Sequence, residues 1–134
     1  MSDVIRIEGI GAVYSEKLKE IGVATVEALL ERGSTREGRG KLALDSGISE
    51  TLILRWVNHA DLFRIKGVEA QYAELLEASG VDSVPELAQR NPSNLYPKMV
   101  EVNDQKHLVR QLPSEAQVGQ WVAEAKTLPR IVTH

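Results

Sequence analysis

Two closely spaced glycines near the start of the chain form the motif with the clearest chemical potential. Gly9 and Gly11 alternate with apolar residues in the segment 7–12, which reads IEGIGA. Glycine lets the backbone turn tightly and leaves the neighbouring N–H groups unshielded by a side chain. A following helix would add free N–H groups and the positive end of its dipole. The pattern therefore predicts an anion site that suits a phosphate group.

Basic residues that follow this motif in the sequence extend the predicted site. The segment 32–41 carries four basic residues and three glycines, and we expect it to be a flexible polar loop that contacts phosphates. The alternative interpretation is that the glycines only permit a turn and that the loop is ordinary solvated surface. The predicted nucleic-acid-binding residues are Gly9, Gly11, Ala12, Lys17, Arg36, Arg39 and Lys41.

The composition argues against catalysis and against a resident metal or cofactor. The chain has no cysteine, and its three histidines, at positions 59, 107 and 134, are scattered. No triad order, paired-carboxylate motif or complete P-loop stands out, so we predict no catalytic residue, no metal site and no cofactor. The formal net charge of −3 excludes a basic surface over the whole protein but leaves room for a local basic patch.

An internal repeat organises the chain. Residues 7–33 align without a gap on residues 65–91, with 11 identities in 27 positions, among them Gly9 with Gly67 and Tyr14 with Tyr72. Downstream, Trp56 aligns with Trp121. We therefore predict two domains, residues 1–64 and 65–134.

Helical periodicity accounts for most of both copies. Tyr14, Leu18 and Ile21 recur at helical spacing, and Gly22 follows where a helix C-terminal glycine belongs. The two tryptophans lie on apolar stripes, which predicts a place in the core. No convincing strand is evident, and we expect polar loops at 33–40 and 91–97. The predicted fold class is all-α.

The hairpin motif resembles a known superfamily. A hydrophobic-Gly-hydrophobic-Gly turn that leads into a helix, as at residues 7–12, is similar to the helix-hairpin-helix signature. The tandem arrangement resembles a bacterial family of paired helix-hairpin-helix proteins that is described only as a domain of unknown function. The resemblance implies two SAM-like helical units packed into one compact body. The second copy departs from the signature, because Glu69 replaces the second glycine and a carboxylate there would repel phosphate.

The first copy lacks a helix before its hairpin, since only six residues precede Ile7. We expect the C-terminal helix, residues 114–127, to pack beside Gly9 and Gly11 and to supply the missing element. The same closure between two chains would give a swapped homodimer, so the chain is expected to be a monomer or such a dimer.

Two functions remain open at this point. The chain is expected to be a non-enzymatic binding module that contacts the DNA or RNA backbone through the first hairpin, or a protein-interaction module that has lost nucleic-acid binding. No signal peptide and no apolar run of roughly 20 residues is visible, so we expect a cytoplasmic protein without membrane contact.

Overall fold

Eight α-helices make up nearly all the regular structure of residues 2–134, the part of the chain that the computed structural model describes, and these residues contain no β-strand. The all-α prediction is confirmed. A short 3₁₀ helix, Val4–Arg6, comes first. The helices are α1 (Ala12–Glu20), α2 (Val26–Arg32), α3 (Arg36–Ser46), α4 (Glu50–Leu62), α5 (Ala70–Ala78), α6 (Val84–Ala88), α7 (Pro92–Lys106) and α8 (Glu115–Ala125).

Internal contacts divide the chain into two units. The first comprises the chain up to Asp61 together with the C-terminal residues Ile131–His134, and the second comprises Leu62–Arg130. We call residues 131–134 the strap. The first unit is thus built from two stretches that are far apart in sequence, whereas the second is continuous.

A glycine ends helix α1 and a serine begins helix α8 where the sequence predicts. Gly22, just after α1, has φ +86°, and the N–H of Val23 donates to the carbonyl of Leu18 at 2.9 Å. This is the left-handed helix end that glycine favours. Helix α8 begins at Ser114, whose hydroxyl accepts from the N–H of Gln117 at 3.1 Å. Such a side-chain cap pairs one of the N–H groups that a helix start leaves without a partner.

Each unit has a core with one tryptophan against one tyrosine. Trp56 and Trp121 are buried, as predicted. The ring centroids of Tyr14 and Trp56 are 5.0 Å apart, and those of Tyr72 and Trp121 are 5.4 Å apart, both in tilted arrangements. The other fully buried apolar residues are aliphatic apart from Met99, which agrees with an aromatic content of only 4%.

The two predicted polar loops are wrong. Residues 36–40 form the first turns of α3, where Thr35 caps the helix by accepting from the N–H of Gly38. Gly38 is needed there because a Cβ atom would collide with the backbone carbonyl of Arg32. Residues 92–97 belong to α7, which begins with Pro92 in its first turn and includes Pro97.

The predicted partner of the first hairpin is also wrong. Helix α8 packs on α6 and α7, and the N–H of Lys66 donates to the Glu124 carboxylate at 3.1 Å, so α8 covers the second hairpin. In the first unit, the place beside Gly9 is taken by Trp56 of α4. Among the described residues, no helix is both long and apolar enough to cross a membrane.

Candidate functional site

The first hairpin, Ile7–Ala12, opens with a tight turn that requires glycine. The N–H of Ile10 donates to the carbonyl of Ile7 at 3.1 Å, and Gly9 has φ +92° at the third position of this turn. That position of a type II turn needs a positive φ, which side chains with a Cβ disfavour. A Cβ at Gly9 would also lie 3.6 Å from Nε1 of Trp56. The backbone conformation alone accounts for Gly9.

Gly11 has no such structural reason to be glycine. It is the N-cap of α1, with φ −85° and ψ −172°, which is extended backbone that any residue adopts. A Cβ built at Gly11 meets no atom within 4 Å, and no side chain caps the N–H groups at the start of α1. A bare backbone therefore faces solvent at a helix N-terminus, which is the end where a helix attracts anions.

The second hairpin, residues 65–70, has the same turn and the same helix start as the first. Glu69 stands where the first hairpin has Gly11. The N–H of Val68 donates to the carbonyl of Ile65 at 3.1 Å, and Gly67 has φ +90°. The N-cap of α5 is Glu69, with φ −111° and ψ −173°, close to the values at Gly11. A glutamate thus occupies the same backbone conformation without strain, but its negative charge opposes an incoming anion.

Lys17 is an available cation on α1. Its side chain is exposed and makes no hydrogen bond or ion pair with the residues that the structure describes. The neighbouring Lys19 differs, because its Nζ lies 3.1 Å from the Asp3 carboxylate. The N–H of Ile5, and then Lys19, hold the pKa of Asp3 below its ordinary value.

Arg39 does not lie on an open surface as predicted. Its side chain is only 5% exposed, and its guanidinium donates to the carbonyls of Gly33 at 2.9 Å and Thr133 at 2.7 Å. The N–H of Thr133 in turn donates to the carbonyl of Ser34 at 2.8 Å, and Val132 is buried. Arg39 therefore anchors the strap to the rest of the first unit, which is a structural role that the sequence interpretation missed.

Arg36 and Lys41 lie on different sides of α3. A separation of five residues places them about 140° apart around the helix axis. Arg36 is exposed and lines a cleft of about 240 Å³ with Arg39, Glu50, Leu54 and His134. Lys41 follows Glu37 by one helical turn, where opposite charges attract each other. The structure thus brings Arg36 and Arg39 together and separates Lys41 from both.

Two features of the first unit escaped sequence reasoning. One is Glu50 of α4, whose side chain lines the cleft together with Arg36 and Arg39 of α3. Nothing in the sequence around Glu50 indicates that it lies near α3. His59 and Asp61 are fully buried on α4, where each interrupts the apolar stripe and could have been noticed for that reason. In residues 2–134, no group of three His, Asp or Glu side chains is placed to hold a metal ion.

Comparison with known proteins assigns the chain to a family without assigning it a function. No curated protein and no solved structure matches it. The family model described as a domain of unknown function, DUF4332, matches residues 8–128. This match spans both units and includes Gly9, Gly11 and both tryptophans. The chain therefore belongs to the DUF4332 family.

Proposed function

We propose that this chain is a non-enzymatic binding module whose first hairpin contacts the phosphate backbone of DNA or RNA. The observation that carries the proposal is Gly11, a glycine that neither its φ nor its surroundings require. Its remaining effect is to let another molecule approach the N–H groups at the start of α1. Phosphate oxygens accept hydrogen bonds from such groups without any dependence on base sequence.

Internal duplication supports the same interpretation. We infer that the two units descend from one helix-hairpin-helix unit, because helices α1 and α5 both begin and end 58 positions apart. The glycine turn that precedes each helix and the tyrosine–tryptophan pair in the core of each unit also match between the two units. On this interpretation, only the first copy has kept an exposed, uncharged backbone that a phosphate can approach. In the second copy, the carboxylate of Glu69 repels phosphate.

The backbone N–H groups at the start of α1 carry no net charge, whereas Lys17 on the same helix carries a full positive charge. It lies six residues after Gly11 on α1, and helical side chains lean toward the N-terminus, so its charge adds to the positive potential at the start of the helix. Glu8 and Glu16, both exposed, are close to Gly11 and Lys17 in the sequence and bring negative charge to this part of the chain. We therefore expect weak, salt-sensitive binding rather than tight binding.

A reciprocal pair of variants tests the hairpin. Gly11→Glu reproduces the residue of the second copy on the same backbone conformation, so it should remove phosphate binding without unfolding the protein. Glu69→Gly makes the second hairpin resemble the first and should strengthen binding. Fluorescence anisotropy with labelled single- and double-stranded DNA, at about 50 mM and then about 200 mM salt, measures both.

The expected result is binding by the wild type that weakens with salt, is lost in Gly11→Glu and improves in Glu69→Gly. Circular dichroism should show both variants folded. If Gly11→Glu stays folded and binds DNA as the wild type does, the first hairpin is not the contact.

A protein partner is the second candidate, and an exposed apolar side chain favours it. Val13, in the first turn of α1, is 69% exposed and directly follows Gly11 and Ala12. The substitution Val13→Ser removes this apolar contact but leaves the backbone N–H groups in place. Partner capture that is lost in Val13→Ser, with no DNA binding by the wild type, would favour this function.

A further inference from the structure

A small cavity lies between the second hairpin and helix α8. It has a volume of about 290 Å³, and all of its lining residues belong to the second unit. They come from the turn of the hairpin and from one face of α8, and they are Lys66, Gly67, Gln117, Gln120, Trp121 and Glu124. The volume is below the ~300–1,000 Å³ typical of drug-sized ligands, so the cavity suits a smaller molecule.

The indole N–H of Trp121 is a donor in this cavity without an acceptor. Only 2% of the residue is exposed, and its Nε1 makes no hydrogen bond with the residues that the structure describes. Nε1 lies 3.4 Å from the position that a Cβ of Gly67 would occupy, so the donor adjoins the space that this glycine leaves open. Polar groups of buried residues are normally hydrogen-bonded, because an unpaired one costs free energy. The indole N–H therefore favours a ligand with an acceptor oxygen.

A second donor converges on the same point. Nε2 of Gln117 lies 3.6 Å from the Cβ position of Gly67, and it too makes no hydrogen bond within the described part of the chain. An oxygen atom close to Gly67 can therefore accept from both N–H groups. When α4 and α8 are aligned on Trp56 and Trp121, Leu52 stands where α8 has Gln117. Leucine donates no hydrogen bond, so this pair of donors is specific to the second unit.

Lys66 and Glu124 bring opposite charges to the cavity without neutralising each other. The side chain of Lys66 is exposed, and the two side chains form no ion pair in residues 2–134. The backbone N–H of Lys66 donates to Oε1 of Glu124 at 3.1 Å, which fixes the carboxylate beside the hairpin. The lining therefore has no net charge, but it offers one group that attracts an anion and one that attracts a cation.

We propose that this cavity binds a free α-amino acid in its zwitterionic form. The carboxylate of the ligand accepts hydrogen bonds from Trp121 and Gln117 and is attracted by Lys66. The ammonium group of the ligand donates to Glu124. A zwitterion satisfies both charges of the lining, whereas a simple anion or cation meets one group that repels it. The site lies in the second unit and does not depend on the function proposed for the first hairpin.

NMR titration of the ¹⁵N-labelled full chain tests the site, because each tryptophan gives its own indole N–H signal. Glycine, L-alanine and L-glutamine are added in turn, at up to about 10 mM. We expect at least one of them to shift the signal of Trp121 saturably, while the signal of Trp56 stays in place as an internal control. Propionate lacks the ammonium group of L-alanine and ethylamine lacks its carboxylate, so each should bind about tenfold more weakly than the amino acid.

Two variants test the lining with the amino acid that binds most tightly. Gln117→Leu gives α8 the residue of α4 and should weaken binding about tenfold, the loss expected for one hydrogen bond to a charged group. Glu124→Gln keeps an acceptor for the N–H of Lys66 but removes the charge, and it should have a similar effect. Glu115→Gln, which removes an exposed charge from the first turn of the same helix, is the matched control and should leave the affinity unchanged. Circular dichroism should show all three variants folded.

Three results would overturn the proposal. The first is that none of the three amino acids shifts the indole signal of Trp121 saturably. The second is that propionate binds as tightly as L-alanine, because the cavity then recognises a carboxylate alone. The third is an affinity that falls equally in Glu124→Gln and Glu115→Gln, which would show an effect of net charge and not of a contact in the cavity.

Discussion

The two glycines of the first hairpin should respond very differently to alanine. Gly9 has φ +92°, and an L-residue held at positive φ costs about 1–2 kcal/mol. We therefore expect Gly9→Ala to lower the free energy of unfolding by about that amount, which for a chain of this length lowers Tm by about 3–10 °C.

Gly11→Ala should be nearly neutral for stability. Its Cβ meets nothing within 4 Å, and alanine reduces the entropy of the unfolded chain, which stabilises by about 0.4–1 kcal/mol. Alanine is a poorer N-cap than glycine by a comparable amount, so the two effects offset each other to within about 0.5 kcal/mol.

Thermal and urea denaturation followed by circular dichroism at 222 nm measure both variants against the wild type. If Gly11→Ala destabilises the protein as much as Gly9→Ala, then Gly11 has a structural role. The fold then explains the glycine, and its bare backbone no longer indicates a ligand. A Gly9→Ala variant as stable as the wild type would instead refute the strain assigned to the turn.

Two further predictions concern stability. Gly38→Ala should lower the free energy of unfolding by about 1–3 kcal/mol in urea denaturation, because its Cβ would collide with a backbone carbonyl of α2. Gly119→Ala is the matched control in α8: nothing lies near its Cβ, so alanine should stabilise that helix by about 0.5–1 kcal/mol, and equal losses would contradict the packing argument. The pKa of Asp3 is lowered by the N–H of Ile5 and then by Lys19, so its carboxylate stabilises the fold above the unfolded pKa, and this contribution is lost as the pH falls through the folded pKa. Asp3→Asn should therefore show a smaller drop in Tm than the wild type between about pH 5 and pH 2, and parallel pH profiles would show that Asp3 contributes nothing.

Helices whose signals are local could be predicted from the sequence. In α1, the apolar spacing and Gly22 lie within one segment, and in α8 the cap at Ser114 precedes the apolar stripe directly. Helix α3 was missed because Gly38 and Gly40 have low helix propensity. The structure shows why the helix forms: Thr35 caps it, and Gly38 allows it to approach α2 closely. The glycines that indicated flexibility in the sequence serve close packing instead.

The same distinction between local and long-range signals holds for the candidate site. The hairpin is encoded by six consecutive residues, so its turn could be predicted from the sequence. The environment of Arg39 could not, because its carbonyl acceptor at Thr133 is 94 residues away and no periodicity relates the two segments. Glu50 lies on a different helix, α4, and only the tertiary structure brings it to the cleft that Arg39 lines.

The strap imposes an order on the maturation of the chain. Translation proceeds from the N-terminus, so all of Leu62–Arg130 is synthesised before Ile131–His134, which belong to the first unit. The first unit therefore cannot complete its contacts until the second unit has been synthesised. Until Thr133 has been synthesised, Arg39 lacks one of its two carbonyl acceptors, so its guanidinium stays incompletely hydrogen-bonded.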